Sequence, residues 1–326
     1  MYDVITMGSA TVDVRLTVES ELIKITTPEH TDTLIAYPLG TKLIIQDLVF
    51  TVGGGGTNCA VAFARLGLKV GWLGMLGDDE HGHLVRRILK QEGIDVLGAV
   101  SKTRKTGYSV ILDSLEGDRT ILTFKGCNDY LLPGLIDTKK LRARHFYFAS
   151  MMGDSWKGME AVAAYAKKKA IPMTFNPSSY LAKLGTKHIS KVLDATTNLI
   201  LNKEEAALLV GDGPVKDLLT RLHALDHSAV CITDGKAGSY AYDGKSFWKC
   251  KASKNVKVVE ATGAGDAFAA TFTAARLLAK PIPTAMQWGT ANAQSVIQHK
   301  GAKELLLNRR QLMAALRNIP VRTSAL

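Results

Sequence analysis

Val258-Val259-Glu260-Ala261-Thr262-Gly263-Ala264-Gly265-Asp266-Ala267-Phe268 is the stretch on which the reading of this chain turns. Its two β-branched residues read as the end of a strand, a small Gly-containing turn follows, and AGDAFAATFTAARLLA (264–279) reads as a helix. The first N–H groups of a helix have no partner inside it, so such a turn offers an anion a set of outward-pointing donors. Gly263 and Gly265 permit close approach and unusual dihedrals. Asp266, in the first helical turn, presents a carboxylate to the same spot. An anion cradle beside a general base is what phosphoryl transfer to a hydroxyl requires. The competing reading of an isolated Gly-Ala-Gly-Asp is an ordinary helix start, its Asp stabilised by the helix dipole.

A second glycine-rich turn stands far upstream. Val52-Gly53-Gly54-Gly55-Gly56-Thr57-Asn58-Cys59-Ala60 leads into AVAFARLG (60–67), a helix closed by Gly67. Four successive glycines are costly in chain entropy, and they read as backbone making room for a ligand. Two familiar phosphate motifs are excluded. The dinucleotide fingerprint G-x-G-x-x-G fails because its last glycine falls on Asn58, Cys59 or Phe268. Gly244-Lys245-Ser246 supplies the end of a Walker A loop, but the earlier required glycine is Ser239, and GSYAYDGKSFWKC (238–250) reads as a hairpin.

The 326 residues, 46% hydrophobic and 22% charged, have the composition of an ordinary soluble globular protein. No apolar run approaches transmembrane length, and Met1-Tyr2-Asp3-Val4-Ile5 reads directly as a strand without a signal peptide. Cys59, Cys127, Cys231 and Cys250 show neither metal-site spacing nor disulfide density. The expectation is a cytoplasmic protein with reduced thiols and no membrane partner. The net charge of +11 invites a nucleic-acid reading, but Lys167-Lys168-Lys169, Arg86-Arg87 and Arg309-Arg310 are short clusters without interleaved aromatics. The basic balance points instead to a polyanionic small ligand such as a nucleotide.

Strand-like runs (YDVITMG, KVGWLGML, RHFYFAS, PMTFNP, NLILN, AVCITDG) alternate with helical ones (HGHLVRRILKQEG, WKGMEAVAAYAKKKA, KEEAALLVG, KDLLTRLHAL, TAMQWGTANAQSVIQHKG). This alternation predicts an α/β fold with a parallel sheet covered by helices on both faces. Residues 14–50 and 105–125 break the pattern. Both are β-rich without intervening helices, the second forming a hairpin around Glu116-Gly117-Asp118, and together they predict a small β lid.

Taken together these pieces resemble the ribokinase family, the PfkB-type carbohydrate kinases, over essentially the whole chain. Gly8 to Asp13 resembles the family's first strand with its substrate-binding aspartate. Gly53 through Gly67 is similar to its first signature, GGxGxNxAxxxARLG, and Leu76 to Gly82 to its V-G-x-D-x-x-G segment. Thr106-Gly107-Tyr108 and Gly126-Cys127-Asn128 bracket the lid hairpin. Asn202-Lys203-Glu204-Glu205 fits N-x-x-E, Thr233 to Gly238 fits T-x-G-x-x-G, and Glu260 to Asp266 takes the place of D-T-x-G-A-G-D. Seven motifs in the right order carry the resemblance.

The resemblance implies a ribokinase-like three-layer α/β/α domain over 1–320, with a central mostly parallel sheet and the lid segments inserted in it. It implies ATP-dependent phosphorylation of a primary hydroxyl on a sugar or sugar-containing molecule, with a nucleoside kinase of the same fold as an alternative acceptor class. A non-catalytic sugar- or nucleotide-binding regulator is the alternative from another class. Asp266 would be the general base and Gly263, Ala264 and Gly265 the anion hole. Asp13, Gly54, Gly55 and Asn58 would bind the acceptor. Asn202, Thr233, Gly235 and Asn292 would bind the nucleotide, with Thr290 near the base. Glu205 would hold Mg²⁺ through water, as suits an ion that keeps several waters. Asn202 and Glu205 also read as a helix capping box, which is compatible with that role. Potassium is a candidate further cofactor, and Glu260 for Asp and Ala261 for Thr fall in the loop that contributes to its site in potassium-activated members. Gly55 stands where ribokinases proper have Lys, which widens the acceptor candidates. A homodimer through exposed lid edges is expected.

Overall fold

Alternate residues of the central strands enter two separate cores, and this period of two builds the three layers. Val4, Tyr147, Ile200 and Cys231 join one buried cluster, while their neighbours Ile5, Phe146, Leu199 and Val230 join the other. The first cluster is completed by Phe63, Phe268, Phe272, Met286 and Leu312, and the second by Met159, Val162, Ile189, Val192, Leu218 and Leu222. Strands apolar on both faces belong to a parallel sheet covered by helices on both sides. That is the expected α/β/α architecture. The computed structural model describes every residue except 19, 28–30, 114–118, 254–255, 319–322 and 326.

Ten strands form the main sheet. In order across it they are Thr323–Ala325, Phe247–Cys250, Ser239–Tyr242, Ala229–Thr233, Asn198–Asn202, Met173–Phe175, Phe146–Phe148, Val4–Met7, Val70–Leu73 and Asp95–Val96. Pairing is parallel from Ala229–Thr233 to Asp95–Val96 and antiparallel through the Ser239–Tyr242/Phe247–Cys250 hairpin at the other edge. Val4–Met7 lies between two strands from later in the chain, in register Ile5↔Phe146 and Val4↔Val70.

The two β-rich segments leave this sheet and form their own. Arg119–Phe124, Gly107–Asp113, Thr11–Val18 and Ile45–Gly53 lie side by side in that order, and Glu21–Thr26 pairs separately with Thr31–Ala36. The hairpin arms pair from Tyr108↔Phe124 to Asp113↔Arg119; the turn expected at Glu116-Gly117-Asp118 lies outside the described residues. Phe50, Ile121, Leu122 and Phe124 are exposed on this small sheet.

One local expectation is corrected. Val258 and Val259 are not the end of a strand: both are exposed, and among the described residues neither pairs with a strand. The N–H groups of Val259 and Glu260 instead donate to the Ile297 carbonyl, at 2.7 and 3.1 Å, at the end of the Ile282–Val296 helix. The helix Ala264–Leu277 is entered from a loop.

Candidate active site

The four glycines at 53–56 are explained by four different neighbours. A Cβ on Gly53 would lie 1.9 Å from Asp13 Oδ2, and one on Gly54 (φ +95°) 2.5 Å from the Ser9 carbonyl oxygen. On Gly56 it would strike the Gly8 carbonyl. Close packing of the protein against itself therefore requires three of the four. This corrects the expectation that the run as a whole makes room for a ligand. Gly55 is the least crowded of the four: it borders the first cavity, and a Cβ there would lie 3.2 Å from Ala149 Cβ and 3.4 Å from Asp266 Oδ1. The carbonyl of Ser9 accepts from the N–H groups of Gly56 (3.1 Å) and Thr57 (3.4 Å), which anchors the Gly55–Arg65 helix to the end of the first strand.

At the other turn Gly263 is left-handed (φ +78°), and a Cβ there would collide with Ala302. The Ala264 N–H is used within the turn, donating to the Ala261 carbonyl at 3.2 Å. Among the described residues no backbone acceptor is found for the N–H groups of Gly263, Gly265 or Asp266, so the donors open to an anion are these rather than Ala264. A Cβ on Gly265 would meet nothing within 4 Å.

The two turns meet at Asp266: Asn58 Nδ2 donates to its Oδ2 at 2.8 Å, and Cys59 Sγ lies 3.7 Å from its carbonyl oxygen. Burial pushes the Asp266 carboxyl up, and the Asn58 hydrogen bond and the nearby charge of Lys303 bring it back only in part. Asp13 lies on the lid strand Thr11–Val18, its Oδ2 against Gly53 and its buried Oδ1 without a partner.

Two cavities flank the Asp266 helix. The first, about 360 Å³, is bordered by Gly55, Asp266, Asn176, Ser178, Asn202 and Glu205. The second, about 520 Å³, has apolar walls from Val256, Val258, Phe268 and Ile297 and polar groups from Ser239, Thr290 and Gln294. Thr233 and Gly265 border both, and Gly235 borders the second. Asp13, Gly54 and Asn58 border neither; they stand beside the first, joined to it through Asn58 and Asp266.

Asn202 and Glu205 form the capping box: Asn202 Oδ1 accepts from the Glu205 N–H at 2.8 Å, and Glu205 Oε2 accepts from the Asn202 N–H at 2.9 Å. Burial pushes the Glu205 carboxyl up despite these bonds. The second carboxylate oxygen of Glu205, which accepts a long 3.4 Å bond from Ser179, remains for the waters of a cation, and the NH2 group of Asn202, a donor, remains for a phosphate oxygen. One carboxylate at a cavity wall suits an ion that keeps its waters and takes phosphate oxygens as ligands.

Residues 4–309 match the pfkB family of carbohydrate kinases. This chain belongs to that family. Among curated relatives it is 29% identical over 261 residues to the ATP-dependent ribose-1-phosphate kinase of Halopiger xanaduensis, covering 77% of this chain and 82% of that one. It is 27% identical over 300 residues to the ribokinase of Haemophilus influenzae, covering 88% and 95%. Among solved structures the ribokinase of Arabidopsis thaliana complexed with ribose and ATP superposes with a TM-score of 0.81 at 22% identity, over 97% of this chain and 99% of that one. The nucleoside kinase of Methanocaldococcus jannaschii gives 0.78 at 22%, over 97% and 98%. The fold is ribokinase-like, and the chain is a sugar or nucleoside kinase of the pfkB family. Among the described residues no helix is long and apolar enough to cross a membrane, and all four cysteines are buried free thiols.

Asn292, expected at the nucleotide, borders neither cavity. It is fully buried, its amide donating to Thr271 Oγ1 at 2.7 Å and accepting from the Leu307 N–H at 2.9 Å. Gln294, four residues after Thr290 and hence on its helix face, borders the second cavity with its buried Oε1 lacking a partner. The i, i+4 spacing was a signal available in the sequence. Lys125, at the cavity mouth with Nζ 5.1 Å from the centre of the Tyr180 ring, and Lys303, buried beside Thr57, are two further charged residues of the site.

Proposed function

We propose that this kinase transfers the γ-phosphoryl group of ATP to a primary hydroxyl of a sugar or sugar-containing acceptor, with Asp266 as general base. The observation that carries the reading is the position of Asp266. Its carboxylate is held by Asn58 of one glycine turn, at the head of a helix whose Gly265 borders both cavities. Asp266 takes the proton of the acceptor hydroxyl as that oxygen bonds to the γ-phosphorus, the bond to the bridging oxygen breaks and ADP leaves. A carboxyl raised by burial is a better proton acceptor than a solvated one. The N–H groups of Gly263 and Gly265 hold the charge of the transferring group.

Thr233 and Gly235 border the nucleotide, with Thr290 and Gln294 toward the base. Glu205, through water, would hold Mg²⁺, which when bound neutralises phosphate charge, and Asn202 would donate to a phosphate oxygen. Asp13 offers an unpaired carboxylate oxygen to acceptor hydroxyls, and Gly55 leaves space that a lysine would fill. At the turn's entrance Glu260 Oε2 accepts from Arg15 at 2.6 Å and from the Gly301 N–H at 3.0 Å, while the buried Oε1 receives no hydrogen bond among the described residues.

The test is a screen of purified protein with Mg-ATP against pentoses, hexoses, sugar phosphates and nucleosides, reading ADP release. At least one sugar-containing acceptor is expected to stimulate release. Nucleotide binding without acceptor-dependent release would favour a regulator, and turnover confined to free nucleosides would favour a nucleoside kinase.

A further inference from the structure

Lys303 is a buried cation that no step above uses. It lies in Gly301-Ala302-Lys303, beyond the Ile282–Val296 helix, and each residue of this triplet braces a different part of the site. The Gly301 N–H donates to Glu260 Oε2. Ala302 fills the space where a side chain at Gly263 would fall. Lys303 Nζ donates to Thr57 Oγ1 at 2.8 Å. Thr57 donates onward to the Gly53 carbonyl at 2.6 Å, and the next residue, Asn58, donates to Asp266. The lysine backbone is itself clamped: Arg65 Nη1 donates to its carbonyl at 2.8 Å, and Arg65 pairs with Glu92 at 2.6 Å.

Placing an ammonium here is costly, because burial disfavours the charged form and a methionine would fill the same space without that cost. Burial lowers Lys303 to about 7 even though Asp13, Asp266 and Glu92 favour its charge. In return, its charge opposes the burial that raises Asp266. The other titratable groups around the pair are the Cys59 thiol and the Tyr147 hydroxyl, and burial pushes both well up, so they stay neutral at working pH. Arg65 is turned toward Glu92.

We propose that Lys303 is a positioning residue for phosphoryl transfer: its ammonium, fixed behind the first glycine turn, gives the Asp266 carboxylate a positive neighbour, and its bond to Thr57 fixes the turn that carries Asn58. The proposal rests on Asp266 being the base. The lysine acts through the carboxylate and the turn and takes no part in bond making.

The experiment is the pH dependence of kcat/KM from about pH 5 to about pH 9 for wild type, Lys303→Met and Asp266→Asn. Loss of the neighbouring positive charge moves the acid limb of Lys303→Met up by about one pH unit, so the deficit is about tenfold on the acid side and closes as pH rises. Lys303→Gln makes the same test if the methionine variant does not fold, and thermal melts separate folding from chemistry. An acid limb superposable on wild type overturns the proposal, as does a loss equal at every pH, which a purely structural lysine would give. The underlying reading fails separately, if Asp266→Asn turns over like wild type.

Discussion

Arg15, on the lid strand, donates through Nη2 to Glu260 at 2.6 Å, at the entrance to the turn that heads the Asp266 helix. Its Nη1 pairs with Asp113 on the neighbouring lid strand, Lys300 reaches Asp113 at 3.1 Å and Arg119 reaches Glu260 at 3.5 Å. Burial opposes charge on both members of the central pair. The bonds from Asp113 and Glu260 nevertheless push Arg15 up, and Thr262, the Gly301 N–H and Arg15 hold Glu260 down. The small sheet and the turn that heads the Ala264–Leu277 helix are joined as one electrostatic unit.

Removing one member of a buried pair strands the other, so Arg15→Met is expected to lose about 3 kcal/mol of stability. In Arg15→Met/Glu260→Met the loss should be smaller than the sum of the single losses, as measured by denaturant unfolding. Strict additivity would show that the pair is not coupled.

The same connection gives the lid a way to respond to ligands. Backbone amides in Thr11–Val18 and Gly107–Asp113 should exchange more slowly with acceptor and nucleotide both bound than with either alone. Exchange unchanged in both strands would argue against closure. The apolar residues Phe50, Leu122 and Phe124 on the exposed lid suit a second copy of the chain, and light scattering should give twice the 35.2 kDa chain mass.

Much of this architecture is legible in the residues because apolar strands and amphipathic helices alternate. Asn198–Asn202 and Ala229–Thr233 fall where their apolar runs place them. Val258 and Val259 have strand propensity, yet among the described residues neither pairs with a strand, so tertiary context overrides it. Asn292 and Gln294 are equally polar in sequence, and only the helix face decides which reaches the cavity. Local pattern does not mark Lys303, because Thr57 and Asp13 are hundreds of residues away in the chain, Asp266 lies in the preceding helix pair, and only packing brings them together. The glycine run was legible as special, while the neighbours that require three of its members appear only in three dimensions.

His145 supplies a prediction about acid stability. It is buried with Nε2 2.9 Å from Thr174 Oγ1, and burial lowers it from 6.5 to about 3. Between those values the unfolded chain binds the proton and the folded one does not. Its contribution is therefore full above about pH 6.5 and erodes toward about pH 3, at a slope near 1.4 kcal/mol per pH unit. His227, lowered in the same direction by burial, adds to this. In His145→Asn, unfolding free energy between about pH 4 and about pH 6 should depend less steeply on pH. A slope equal to wild type would assign the acid sensitivity elsewhere.

The general-base role of Asp266 is tested most directly by single-turnover phosphoryl transfer in Asp266→Asn, with nucleotide affinity measured on the same protein. The amide preserves shape but cannot take the proton, so transfer should slow by about 10²- to 10⁴-fold while nucleotide binds nearly as in wild type. Transfer at the wild-type rate would contradict the account.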